Sequence, residues 1–121
     1  MLLELILKKI DSLINLNNVP FNAKIGLFGH EFSHFIDYSN RNVFSIIKCL
    51  LFYSNQKQQE IYEKQIDTST IYRNLGWQLY DWSYFVLNES DAKRKYKEFK
   101  KDIYLEPEEI LDLIKKTSKN N

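Results

Sequence analysis

Cysteine is almost missing from this chain of 121 residues: Cys49 stands alone, so no internal disulfide can staple the fold. As a lone, small apolar side chain, Cys49 reads as a core residue. Charge of one sign is missing too. The 17 basic and 16 acidic residues leave a formal net charge of +1, which gives no general attraction to nucleic acid or to an anionic membrane. Long apolar runs are lacking. The richest stretch, residues 43–53, is interrupted by Lys48 and is too short to span a bilayer. The first segment, Met1–Leu16, carries Glu4, Lys8, Lys9 and Asp11, where a signal peptide would run uncharged after its basic start. The expectation is a cytoplasmic protein with no membrane span and no nucleic-acid partner. Only three glycines and two prolines punctuate the chain, so helices have few local breakers.

What is present is a helical pattern. The 44% hydrophobic fraction is ordinary, but the 15% aromatic fraction is high, and rings should supply much of the core. Leu2, Leu5, Ile6, Ile10, Leu13 and Ile14 recur at three- and four-residue steps, the signature of one buried helix face. Pro20 then restricts Val19 to extended conformations. A short strand fits only at Phe21–Ala23. Further helices are expected from about Ala23 to Tyr38, from Val43 to Tyr53, and from Gln58 to Asn74, the last with Gly76 near its end. More should cover Trp77 to Leu87, then Asp91 to Lys101 with Ser90 as N-cap, and the segment opened by Glu106-Pro107-Glu108-Glu109. The fold class is mainly α: one compact helical domain over residues 1–116, with at most a residual short strand and a frayed tail at 117–121. Gly26 and Gly29 fall inside a helix, where each costs up to about 1 kcal/mol against alanine. Such glycines mark close packing of another element.

The two histidines are the rarest reactive residues, and both lie in one motif: His30-Glu31-Phe32-Ser33-His34, or HExxH. On a helix, residues four apart point the same way, so His30 and His34 can present imidazoles to one metal ion. Glu31 is rotated by about 100° from His30. That places it beside the ion, where it can act on a bound water as catalytic base. Zinc lowers the pKa of such a water towards roughly 7. Apolar Leu27, Phe28, Phe35 and Ile36 flank the motif, as expected of a buried helix. A catalytic zinc needs a third protein ligand and an open position. No third histidine exists, so a carboxylate must serve, and Glu60-Ile61-Tyr62-Glu63-Lys64-Gln65-Ile66-Asp67 offers several. Glu63 and Asp67 share a helix face. Glu63 is the favoured ligand and Asp67 the acceptor that orients a ligand histidine, with Glu60 an alternative ligand and Asp37 an alternative helix-end or supporting residue.

HExxH followed by a helix bearing Glu-x-x-x-Asp resembles the gluzincin arrangement, and the small size resembles minigluzincins. The similar stretch covers roughly Pro20 to Leu87, including Phe28–Tyr38 and Leu75-Gly76-Trp77-Gln78-Leu79-Tyr80-Asp81-Trp82. The resemblance implies zinc held by His30, His34 and Glu63, Glu31 as general base and acid, and Asp67 orienting a histidine. It implies hydrolysis of peptide bonds in a peptide or small protein by a zinc-activated water. One departure stands out. Only 29 residues precede His30, and most read as helix, whereas such peptidases place a small sheet there whose edge strand holds substrate. Asn18–Asn22 would be its remnant. The alternative function is therefore an inactive or shortened metallopeptidase-like module that binds a protein partner, with zinc structural or absent.

Other features read as scaffold. Tyr72, Arg73, Tyr80 and Tyr84 could reach a developing oxyanion, but an aromatic core with a surface arginine fits them better. Trp77, Tyr80, Tyr84 and Leu87 share helical spacing, which points to core. The basic run Lys93–Lys101 reads as a solvated face over a stripe of Tyr96, Phe99 and Ile103.

Overall fold

The computed structural model describes residue 8, residues 13–42, 44 and 45, and residues 55–119. The expected helices over residues 2–14 and 43–53 lie largely outside this set, as does Cys49. Among the described residues the fold is all helical, with no strand. Five α-helices follow one another: α1 (Phe21–Ser39), α2 (Gln56–Thr70), α3 (Gly76–Tyr84), α4 (Arg94–Ile103) and α5 (Pro107–Lys119). No helix among the described residues is long and apolar enough to cross a membrane.

The segment before α1 shows why no strand forms. Leu16–Asn18 closes a 3₁₀ turn, and Val19 is extended, as Pro20 demands. Pro20 then caps α1, which begins at once with Phe21. A proline can open a helix without losing a needed donor, so Phe21–Ala23 joins the helix and not a strand.

α1 packs on α3 through small residues. A Cβ at Gly26 would collide with the backbone carbonyl of Gln78, and one at Gly29 would meet the Leu75 side chain at 2.7 Å. These glycines share the buried face of α1 with Ala23, Leu27, His30 and Ser33. Phe28, Phe32 and Phe35 are exposed instead, which corrects the expectation that the apolar flanks of the motif are all buried. At the two glycines the crossing leaves no room for a ring, and Phe28, Phe32 and Phe35 lie on the outer side. Asn22 Nδ2 donates to Asp81 Oδ2 at 2.6 Å and ties the same two helices.

α2 starts at Asn55, whose side chain accepts from the backbone N–H groups of Lys57 and Gln58. Its polar first turn is helix and not loop for that reason. It does not run to Asn74. The chain turns sharply at Ile71–Leu75, where Asn74 adopts the left-handed conformation (φ 66°). Asparagine tolerates that region and here does what the sequence suggested for Gly76. Gly76 is ordinary helix, and its missing Cβ makes room for Ile114 of α5.

The face of α3 that meets the core carries Leu79, Trp82 and Ser83, followed by Phe85 and Val86. Trp77 and Tyr84 are exposed, whereas Tyr80 packs partly buried against the core and stacks on Tyr84, so the ring stripe read as core is core only in part. Ser90 does not cap α4. Its hydroxyl donates to the Val86 carbonyl and accepts from Ala92 N–H, finishing the preceding turn, and α4 begins at Arg94. α5 opens at Pro107, with Glu109 accepting from Glu106 N–H in a capping arrangement, and stays helical to Lys119. The main core gathers Ile14, Val19, Leu27, Leu79, Trp82, Val86 and Ile110 where α1, α3 and α5 meet.

Candidate metal centre

α1 and α2 pack side by side, and their facing residues form the site. The contact is fixed below it by a hydroxyl pair: Ser33 Oγ lies 2.9 Å from Thr70 Oγ1, so one hydroxyl donates across the pair while the other donates to the carbonyl one turn back, Gly29 O or Ile66 O. One turn away, His30 and His34 turn their Nε2 atoms towards each other at 3.1 Å. Glu63 Oε2 of α2 lies 3.0 Å from both. These three atoms form a nearly equilateral triangle. Without a metal, a proton on an imidazole Nε2 joins these atoms by hydrogen bonds; with one, the same lone pairs are free to face the ion. A tetrahedral ion about 2.0–2.1 Å from each donor would separate them by roughly 3.3 Å, a few tenths of an ångström wider than observed. His30, His34 and Glu63 can thus hold a metal ion after a small outward adjustment.

The imidazoles are oriented from behind. His30 Nδ1 donates to Asp67 Oδ1 at 2.7 Å, and Asp67 Oδ2 accepts the backbone N–H of Leu105 at 3.0 Å. On the other side, Tyr62 OH donates to Asp37 Oδ2 at 2.8 Å, which leaves its oxygen to accept from His34 Nδ1 at 3.3 Å. Both histidines thereby carry their outer proton on Nδ1 and turn Nε2 to the ion position, as a ligand pair requires.

Burial sharpens these charges. His30 and Glu63 are 5% and 2% exposed. Burial by itself would lower the His30 pKa, but the Asp67 charge and hydrogen bond, helped by Glu63, push it up to about 10. Burial would raise Glu63, yet the hydrogen bonds and charges of the two histidines hold its carboxyl well below the usual carboxylate range. Glu31 is different. Its half-buried carboxyl is raised above the ordinary value by desolvation and by Glu63, against the opposing pull of His30, His34 and Lys100.

The expected residues divide clearly. His30, His34 and Glu63 converge, Asp67 lies behind His30, and Glu31 lies within their field. Glu60 sits on the surface with Lys57 and Lys64. Asp37 binds Arg41 and Tyr62 and supports His34 through the phenol. Tyr72, Tyr80 and Tyr84 contribute nothing at the triangle, and Arg73 reaches Ser33 Oγ at 3.2 Å.

Three neighbours escaped the sequence reading. Tyr62 packs on His34 with ring centroids 5.3 Å apart, and Tyr104 meets His30 edge-on at 5.5 Å. Lys100, read as part of a solvated basic face, is 5% exposed. Adjacency to Glu63 was a usable signal for Tyr62; for Tyr104 and Lys100 the sequence carries none. No protein-family model matches the chain, and no curated protein or solved structure is similar to it.

Proposed function

We propose that this chain is a zinc metallopeptidase of gluzincin type that cleaves a peptide or small protein. The observation that carries it is the triangle of His30 Nε2, His34 Nε2 and Glu63 Oε2, with 3.0–3.1 Å sides, backed by Asp67. Two imidazoles and one carboxylate are a donor set of catalytic zinc, which keeps a further position open. Glu60, the alternative ligand, and Asp37 are engaged elsewhere.

Zinc held there would polarise the scissile carbonyl and acidify a water molecule. Glu31 accepts the water's proton and passes it to the leaving amine nitrogen. Its raised pKa suits both halves of that transfer, since the acid formed in the first half must release its proton in the second. Asp67 and the Tyr62–Asp37 pair keep both Nε2 atoms aimed at the metal throughout.

Glu31→Gln tests these roles. The amide keeps shape but cannot take a proton, so the variant should bind one zinc per chain and lose hydrolysis of a mixed peptide library. Lost zinc in Glu31→Gln would make Glu31 a ligand, and unchanged hydrolysis would remove it as the base.

One observation favours a second reading. The side chains of His30, His34 and Glu63 are only 7%, 11% and 3% exposed, as in an ion that staples two helices. In that reading the chain is a non-catalytic module binding a protein partner. Zinc uptake without hydrolysis of any peptide would select it.

A further inference from the structure

Lys100 is the one lysine of α4 drawn into the interior. Its helix neighbours Lys93, Lys95 and Lys101 are exposed, whereas Lys100 is 5% exposed. Its stem is buried while the ammonium nitrogen keeps a small contact with solvent, since among the described residues no fully buried side-chain nitrogen lacks a hydrogen-bond partner. Among the described residues no carboxylate forms an ion pair with Lys100, and no acceptor takes a hydrogen bond from it. Aromatic faces hold it instead: Nζ lies 4.4 Å from the Tyr104 ring centroid and 5.7 Å from that of Trp82. Tyr104 in turn meets His30 edge-on. The acidic groups whose fields act on this ammonium are Asp67, Glu63 and Glu31, the same three that surround the candidate metal position.

The charges there balance in a simple way. Three carboxylates and a divalent ion sum to one negative charge, and Lys100 supplies the missing positive one. We infer that Lys100 is a positioning residue of the metal centre, a fixed cation that neutralises the occupied site and moderates how tightly the divalent ion is held. This rests on the proposal that His30, His34 and Glu63 bind such an ion. Lys100 acts through the shared field, and touches neither the ligands nor the ion. Rings are suited to holding it, because they stabilise a cation without consuming its charge in a close ion pair.

Zinc affinity of the full chain, measured by competition with a chromogenic chelator, tests the inference. Removing a like charge near the ion should tighten binding, so Lys100→Met should hold zinc on the order of tenfold more strongly than wild type. Lys100→Gln should repeat the gain, and Lys100→Arg should stay near the wild-type value. A merely structural lysine gives the opposite pattern, since damaged packing loosens a site. Equal or weaker binding in both neutral variants overturns the inference, and so does an equal gain in Lys100→Arg. For variants unstable without metal, thermal unfolding across a zinc titration reads the same affinity by mass action. A neutral variant that stays unfolded at saturating zinc also overturns it, because Lys100 then serves folding alone. Wild-type protein that takes up no zinc would instead refute the metal centre itself.

Discussion

Removing the three acidic side chains of α2 one at a time should rank them by distance from the triangle. Glu63 Oε2 lies 3.0 Å from both imidazole nitrogens, so Glu63→Ala deletes one of the three proposed zinc ligands. If those ligands share a binding free energy on the order of 12 kcal/mol, one is worth about 4 kcal/mol, or roughly 1000-fold in zinc affinity. Asp67 stands one shell back, with a 2.7 Å hydrogen bond to His30. Asp67→Ala should cost about 10–100-fold in affinity. It also leaves the buried Leu105 N–H without its acceptor, which should lower unfolding stability by about 1–3 kcal/mol. Glu60 pairs with lysines at the surface, so Glu60→Ala should change affinity by no more than about twofold. Chelator competition gives the affinities and denaturant unfolding gives the stability. Glu60 as the most damaging loss, or three equal small losses, would refute the placement of Glu63 in the metal shell.

Two predictions address the surroundings. Zinc uptake should release a proton, because His30 is pushed up to about 10 and is protonated near neutral pH without metal. Apparent affinity should therefore rise by about tenfold per pH unit between neutrality and the His30 pKa, and a flat profile would contradict the Asp67–His30–Glu63 coupling. The sign reverses for the metal-free fold. A pKa raised from 6.5 gives stability that is fully present below 6.5 and lost as pH rises through about 10. Gly26→Ala should destabilise the fold by about 3 kcal/mol in denaturant unfolding, since the new methyl meets the Gln78 carbonyl; a neutral effect would mean that α1 and α3 are not in close contact.

The His30–His34–Glu63 cluster joins two kinds of information. The pairing of His30 with His34 follows from helical periodicity alone, as does the shared face of Glu63 and Asp67. Those relations are local, and any helix over these residues reproduces them. The helical class is legible for the same reason, down to Pro107 opening the last helix. Element ends were less legible. Asn74 and Ser90 serve roles that local rules assign equally well to Gly76 and to the start of α4.

Tertiary structure decided what crosses between helices. Composition favours burying Phe28, Phe32 and Phe35, yet the inner face of α1 carries Ala23, Gly26, Leu27, Gly29, His30 and Ser33, and at Gly26 the approach of Gln78 leaves no room even for a methyl. Spacing alone sets two imidazoles on one face of a helix and an acidic pair on one face of another. Only packing between helices brings Tyr62 and Asp37 to orient His34, and Tyr104 from beyond α3 against the His30 ring. Helical periodicity acts over four residues, whereas these contacts depend on packing between segments 25 or more positions apart.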